Sequence, residues 1–210
     1  MAVFTVSRQF GAGGRTLGKM IADRLGYVFA DSEVVQRIAE AANVSPNFVE
    51  TVEKESGTKI SKVINSMVSK TLVERVLKSE RGYIDERLYL DYLVVIIAQL
   101  AEEGNVVILG RGSQYVLNDH PDAYHILLVR DYDNRIKFVE EKYCIPHKKA
   151  VMLVNTEDRC RTNLFKKLGK TDFENPNHYH LVLNMDRISF QAALDMACKL
   201  IESPNESQVS

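Results

Sequence analysis

Cysteine is scarce in this chain. Cys144, Cys160 and Cys198 lie far apart with no C-x-x-C pair, which excludes a disulfide framework or a thiolate zinc site and fits free thiols serving as structural fillers in a reducing cytosol. An excess of charge of either sign is also lacking. The 27 Lys and Arg against 28 Asp and Glu leave a net charge of −1, so no global basic field recruits nucleic acid, and any anion site has to be a local cluster of basic side chains. Long apolar runs are missing too: the most apolar stretch, around Leu93 to Leu100, falls far short of the roughly 20 residues that span a bilayer. No charged-then-apolar leader opens the chain, and there are no internal repeats or low-complexity tracts. His120, His125, His147, His178 and His180 do not have metal-ligand spacing; His178 and His180 would share a strand face, without an evident third ligand. These absences lead to the expectation of a soluble, cytoplasmic protein that binds neither membrane nor nucleic acid. With 210 residues, 45% of them hydrophobic, the chain suffices for one sizeable α/β domain with a smaller helical insertion.

What is present begins at the amino terminus. An apolar strand, Ala2 to Val6, runs into SRQFGAGGRT (Ser7 to Thr16) and then into an amphipathic helical pattern that stops at Gly26. Polyphosphate oxygens need several backbone N–H groups at once, and side-chain-free residues let the chain wrap closely around them; Gly11, Gly13 and Gly14 meet that need, with Ala12 between them in the same loop. The following helix turns its unpaired amides and positive dipole end toward the same anion, while Arg15 adds charge and Thr16 a hydroxyl suited to a phosphate-bound Mg²⁺. Against G-x-x-x-x-G-K-[ST], one register puts Gln9 at the first glycine and Arg15 at the lysine; a second, a variant of G-K-G-T, places Gly14 at the lysine. The first register is preferred. A dinucleotide fingerprint, with Asp31 as the ribose acid, is disfavoured because Thr16 stands where the third glycine belongs.

Further along, Tyr27 to Ala30 reads as a second strand that delivers Asp31 and Ser32 to its carboxyl end, where ligands bind in open α/β sheets. The segment of about 33–80 carries helical patterns and no strand, so it is read as an insertion. Its apolar face through Ile60, Val63, Ile64, Met67 and Val68 is either buried or a partner face, the latter giving a homodimer through the insertion. A helix from about Ile84 ends at Gly104, and Val106 to Leu109 is a buried strand that ends in Gly110, Arg111 and Gly112. Ala123 to Val129 is a fourth strand. Asp131 caps a helix to about Tyr143, and Pro146 opens a basic helix to Gly169. His180 to Leu183 is a fifth strand, followed by a Ser189-capped helix and a polar tail over 204–210. Strands alternating with helices predict a parallel sheet with right-handed crossovers.

Three strand ends therefore offer an anion-binding loop, a carboxylate and hydroxyl (Asp31, Ser32) with Arg37 one turn on, and Arg111. Phosphoryl transfer is chiefly positioning plus charge neutralisation, and it asks for basic groups around a gap between donor and acceptor. On these residues the chain resembles the cytidylate kinase-like branch of the P-loop nucleoside monophosphate kinases over most of 1–203. Asp31 to Arg37 is similar to D-S-G-x-x-Y-R, Gly110-Arg111 to the G-R of D-G-R-D, Asp158 to Arg161 to an arginine-bearing lid, and Tyr179 to Asn184 to the last strand. Where that pattern has aspartates flanking G-R, this chain has Leu109 and Gly112.

The resemblance implies a P-loop NTPase fold: one domain over 1–203, a parallel five-stranded sheet flanked by helices, a helical acceptor-binding insertion and a lid at about 131–169. It implies an ATP-dependent, Mg²⁺-assisted kinase acting on a small nucleotide acceptor, CMP being one candidate. Gly11, Ala12, Gly13, Gly14 and Arg15 would hold the donor phosphates and Thr16 the Mg²⁺. Asp31, Ser32, Arg37 and Arg111 would place the acceptor, and Arg159 or Arg161, with Arg15, would neutralise charge. Plainer roles stand beside these: Asp31 and Ser32 as helix caps, Glu157 and Arg161 as an i,i+4 surface pair. The alternative function is a nucleotide-binding sensor or interaction protein that keeps the loop without turnover.

Overall fold

The computed structural model describes residues 1–31 and 86–202, with 86–89, 91 and 92 described by backbone alone. The elements are β1 (Val3–Arg8), α1 (Gly14–Leu25), β2 (Val28–Ala30), α2 (Glu86–Glu103), β3 (Val106–Leu109), α3 (Ser113–Val116), β4 (Ala123–Val129), α4 (Tyr132–Tyr143), α5 (His147–Lys167), a 3₁₀ turn (Pro176–His178), β5 (Leu181–Asn184) and α6 (Phe190–Glu202). The five strands form one sheet in the order β2-β3-β1-β4-β5, with every pairing parallel. This is the α/β kinase fold expected from the sequence. The insertion of about 33–80, its dimer face and the tail lie outside the described residues.

Strand alternation builds two cores. Val3, Val106 and Ile108 pack on one face against Leu93, Ile96, Ile97 and Leu100 of α2. Phe4, Val6, Val107, Leu109, Ile126 and Leu128 pack on the other against Leu17 and Ile21 of α1 and Ala193, Leu194 and Ala197 of α6. A parallel sheet covered on both faces reads as continuous apolar runs, as these strands do. Full burial of Leu17 and Ile21 stabilises the α1 contact by about 1.5–3 kcal/mol for each side chain. A third cluster joins Ile136 and Val139 of α4 to Ala150 and Val154 of α5, and Phe10 from the glycine loop packs against it.

Position in the sheet decides the site. From β1 the chain crosses to β2 at one edge, returns through β3, and then goes to β4 on the other side of β1. The loop after β1 therefore lies where the strand order reverses, the point at which open α/β sheets form a crevice.

Cysteine use differs from expectation. Cys198 is half-buried and packs beside the α6 core, but Cys144 and Cys160 are exposed. Cys144 ends α4 and Cys160 borders an open cavity at the end of β3, while the small α4–α5 core is filled by other residues, so they are not fillers.

Candidate active site

Gly13 sits at the amino-terminal cap of α1 with φ 90°, in the left-handed region that favours glycine. A Cβ there would also collide with the Phe190 ring. The turn is closed by Ala12 N–H donating to the Gln9 carbonyl at 3.1 Å and by Leu17 N–H donating to the Gly13 carbonyl at 3.0 Å. The sequence thus bends where its glycines allow, and the first amides of α1 face the crevice.

The loop is braced from the α4–α5 side. Arg135, with 8% of its side chain exposed, donates to Asp158 Oδ2 at 2.7 Å and to the Phe10 carbonyl at 3.0 Å. Asp158 Oδ1 accepts from Phe10 N–H at 3.3 Å. Gln9 Oε1 accepts from Arg130 N–H at 3.0 Å, and Arg130 in turn donates through Nε to Asp186 at 3.0 Å. A nearly buried guanidinium and a carboxylate one-third exposed thus pair and together fix the backbone of the glycine loop.

Two adjoining cavities open on this loop. The larger, about 700 Å³, is lined by Gly11, Gly13, Gly14, Arg15, Thr16, Asp31, Glu157 and side chains of α1 and α4. The smaller, about 100 Å³, lies toward the end of β3 and is lined by Ser7, Arg8, Arg111, Glu157, Cys160 and Arg161. Arg8 lines both.

Most of the residues expected from sequence converge here. Gly11, Ala12, Gly13 and Gly14 form the loop, and Thr16 is half-buried in the first turn of α1. Arg15 turns to the carboxyl end of β2, where its Nη2 donates to Asp31 Oδ2 at 2.5 Å; its side chain is 64% exposed and that of Asp31 10%. Arg111 sits between Gly110 and Gly112, and all three have positive φ. For arginine that conformation costs of order 1 kcal/mol, and it carries the chain sharply round at the strand end, with Ser113 N–H donating to the Gly110 carbonyl at 3.2 Å.

The helix α5 is unbroken from His147 to Lys167, so Arg159 and Arg161 face different ways. Arg159 is exposed. Arg161 lines the small cavity, with its Nη1 donating to Glu174 at 2.6 Å and its guanidinium stacked over Phe173 and Phe165 at 4.8 and 5.5 Å from the ring centroids. Its ion-pair partner is thus Glu174 rather than Glu157. Ser32 and Arg37 lie outside the described residues.

Sequence reasoning missed Arg8. It follows Phe4 and Val6 in the alternation of β1, so it leaves the strand on the α1 side, and its stem passes directly over Gly14. Burial, followed by the charges of Arg161 and Arg111, draws its pKa down from 12.5 to about 10, and it remains a cation at neutral pH. The available signal was the one that found Arg111: a basic residue that ends a run of buried strand residues.

The histidine pair diverges. His178 hydrogen-bonds Asp172 at 2.7 Å and meets the edge of Tyr115. His180 Nδ1 accepts from His125 N–H at 2.9 Å. Among the described residues no group of three or more His, Cys, Asp or Glu could hold a metal ion. Beside the loop the oxygen donors are scattered, the Thr16 hydroxyl, the Glu157 carboxylate and an Asp31 carboxylate already paired with Arg15, a set that fits Mg²⁺ carried by phosphates and its own waters rather than a protein-caged ion.

The fold aligns with that of an uncharacterized protein from Eubacterium ventriosum (17% identity, 97% of this chain and 99% of that one, TM-score 0.62). More distant alignments join it to a sugar kinase from Janibacter sp. (15%, 96% and 95%, TM-score 0.48) and shikimate kinase from Bacteroides thetaiotaomicron (13%, 96% and 99%, TM-score 0.47). No curated protein matches the sequence. Among family descriptions, residues 3–187 match one throughout, from the first strand through the glycine loop and the arginines to the end of the sheet: the chain belongs to the cytidylate kinase-like family.

Proposed function

We propose that the protein is a cytoplasmic ATP-dependent kinase that transfers the γ-phosphoryl group to a nucleoside monophosphate, CMP being the first candidate, or to a similar small phosphorylated acceptor. Family membership supports a phosphotransferase in general terms. The observation that carries the finer reading is the pair of adjoining cavities: one lined by the glycine loop with Thr16, the other by Arg8, Arg111 and Arg161. Two anionic groups brought together repel each other, and a kinase of this kind has to hold both while charge builds on the group in flight.

In this reading the loop amides and the α1 amino terminus bind the donor phosphates. Mg²⁺, when bound with the nucleotide, would neutralise phosphate oxygens, and Thr16 is the hydroxyl that would hold it. Arg111 holds the acceptor phosphate, with Ser32 and Arg37 assigned to the same task from the sequence. Arg161, fixed by Glu174 and two aromatic rings, stabilises charge on the transferred group, and Arg15, steadied by Asp31, stands between the loop and the acceptor side. The bond from the γ-phosphorus to the bridging oxygen breaks as an acceptor phosphate oxygen bonds to that phosphorus, and ADP leaves. The attacking oxygen is already anionic, so no general base is required.

A screen of ATP and Mg²⁺ with each nucleoside monophosphate and a set of small phosphorylated metabolites tests this, with ADP release as the readout. Acceptor-dependent ADP is expected. Tight ATP binding without turnover on any acceptor would instead favour the sensor reading, since the glycine loop has no lysine.

A further inference from the structure

The glycine loop offers no lysine, and in the second register, which puts Gly14 rather than Arg15 at the lysine, the space that such a side chain would use is filled. Gly14 is the first residue of α1 and has no positive φ, so its backbone would accept any L side chain. What stands in the way is Arg8: a Cβ on Gly14 would lie 2.8 Å from Arg8 Cγ, 3.0 Å from Cβ and 3.1 Å from Cδ. The stem of Arg8 therefore runs along the path that a side chain leaving position 14 would take. Its guanidinium then reaches Gly110, where a Cβ would collide with Nη1. Gly14 thus leaves room for the Arg8 stem, and Gly110, itself at a positive φ, leaves room for its tip. The guanidinium arrives beside Arg111 and Arg161, on the wall shared by the two cavities.

We infer that Arg8, reaching in from the end of β1, takes the place of the P-loop lysine on the donor phosphates, with Gly14 left bare to admit it. This rests on the kinase reading above and deepens it. Arg8 holds its charge near physiological pH even though burial and its two arginine neighbours work against it, and a polyphosphate between these groups would offset the repulsion. A planar guanidinium supplies a bidentate fork where an ammonium supplies a point charge. Arg15, the basic residue inside the loop, pairs with Asp31 at the end of β2.

The test is affinity for ATP and for AMP, each with Mg²⁺, by titration calorimetry on the full chain. Arg8→Met keeps the stem over Gly14 and removes only the charge. It is expected to weaken ATP binding roughly 10- to 100-fold, the size of a lost charge-assisted phosphate contact, while AMP affinity stays within a few-fold and the melting temperature is preserved. The double variant Arg8→Ala with Gly14→Lys is expected to regain most of the ATP affinity that Arg8→Ala loses, whereas Gly14→Lys alone, blocked by the arginine stem, should bind ATP worse than wild type. Wild-type ATP affinity in Arg8→Met, an equal loss for ATP and AMP, or a folded double variant no better than Arg8→Ala would each overturn the inference and leave the kinase reading standing. If the wild-type protein itself binds no ATP, both fall.

Discussion

Among single residues, the arginines are where sequence and structure part most instructively. Arg111 was legible because a lone cation closing a buried strand has few reasons to be there. Arg8 follows the same rule but was hidden by its nearness to the loop, where the glycines drew the reading forward to Arg15. The destination of Arg15 could not be read at all, since it depends on β2 ending within reach of α1 across a strand order set by the whole sheet. Arg159 and Arg161 were separable only once α5 was seen to be unbroken. Arg111→Ala should raise the acceptor KM by roughly 10- to 100-fold, the worth of a charge-assisted phosphate contact, with ATP affinity within twofold of wild type; equal losses for both substrates in initial-rate kinetics would contradict the division into subsites. Arg161→Lys should lower kcat by about tenfold or more with KM for ATP little changed, because lysine keeps the charge but loses the planar fork held against the Phe173 and Phe165 rings.

Elements were more legible than their partners. Strands two, three, four and five appear within a residue or so of where apolar runs and turn residues placed them, and Ser189 caps α6 as expected, its Oγ accepting from Ala192 N–H at 3.2 Å. The four-residue α3 and the 3₁₀ turn at Pro176–His178 escaped because neither spans enough residues to show a period. More consequential is how α4 and α5 meet the loop. Read from sequence as a lid at about 131–169, this hairpin is joined to the loop by Arg135, Asp158 and Phe10. A closing motion has to carry the glycine loop with it or break the two hydrogen bonds that Phe10 makes to Asp158 and Arg135. Asp158→Ala leaves the Arg135 guanidinium with little solvent and one carboxylate fewer, which should cost about 3 kcal/mol in urea unfolding. Arg135→Met with Asp158→Leu should recover a good part of that, since two apolar side chains leave no unpaired charge behind. If Asp158→Ala unfolds at the wild-type urea midpoint, the pair does not anchor the hairpin. Nucleotide plus acceptor should raise amide protection near Arg161 above either ligand alone, with Val106 to Leu109 barely changed.

For the molecule as a whole, the sheet buries a feature that makes its stability depend on acidity. His125 points from β4 into the core, 4% exposed, with Nδ1 paired to Thr5 Oγ1 at 2.8 Å; β5 sets His180 beside it, ring centroids 5.2 Å apart. The sequence offered His180 as half of an H-Y-H run, and nothing in that run marks its pairing with a histidine 55 positions earlier, which arises only because β4 and β5 are neighbours. Burial first, and then the neighbouring His180, pushes the His125 pKa from 6.5 down to about 4; burial lowers that of His180 as well. A histidine whose folded-state pKa is depressed takes up its proton more readily in the unfolded chain. Its contribution to stability is therefore complete above about pH 6.5 and is lost as pH falls from there toward 4. A shift of that size corresponds to about 3 kcal/mol, with His180 adding in the same direction. Urea unfolding at successive pH values should show stability level between pH 7 and 8 and falling steeply between 6.5 and 4. Replacing both histidines, as His125→Gln with His180→Gln, should flatten that limb even if the variant is less stable at pH 7, because an amide keeps a hydrogen-bonding group without a titrating one. A slope between pH 6.5 and 4 unchanged by the double replacement would overturn this assignment to the two histidines, because a carboxylate with a depressed pKa, such as Asp186, loses its contribution only below that window, as pH falls under its ordinary value of 3.8.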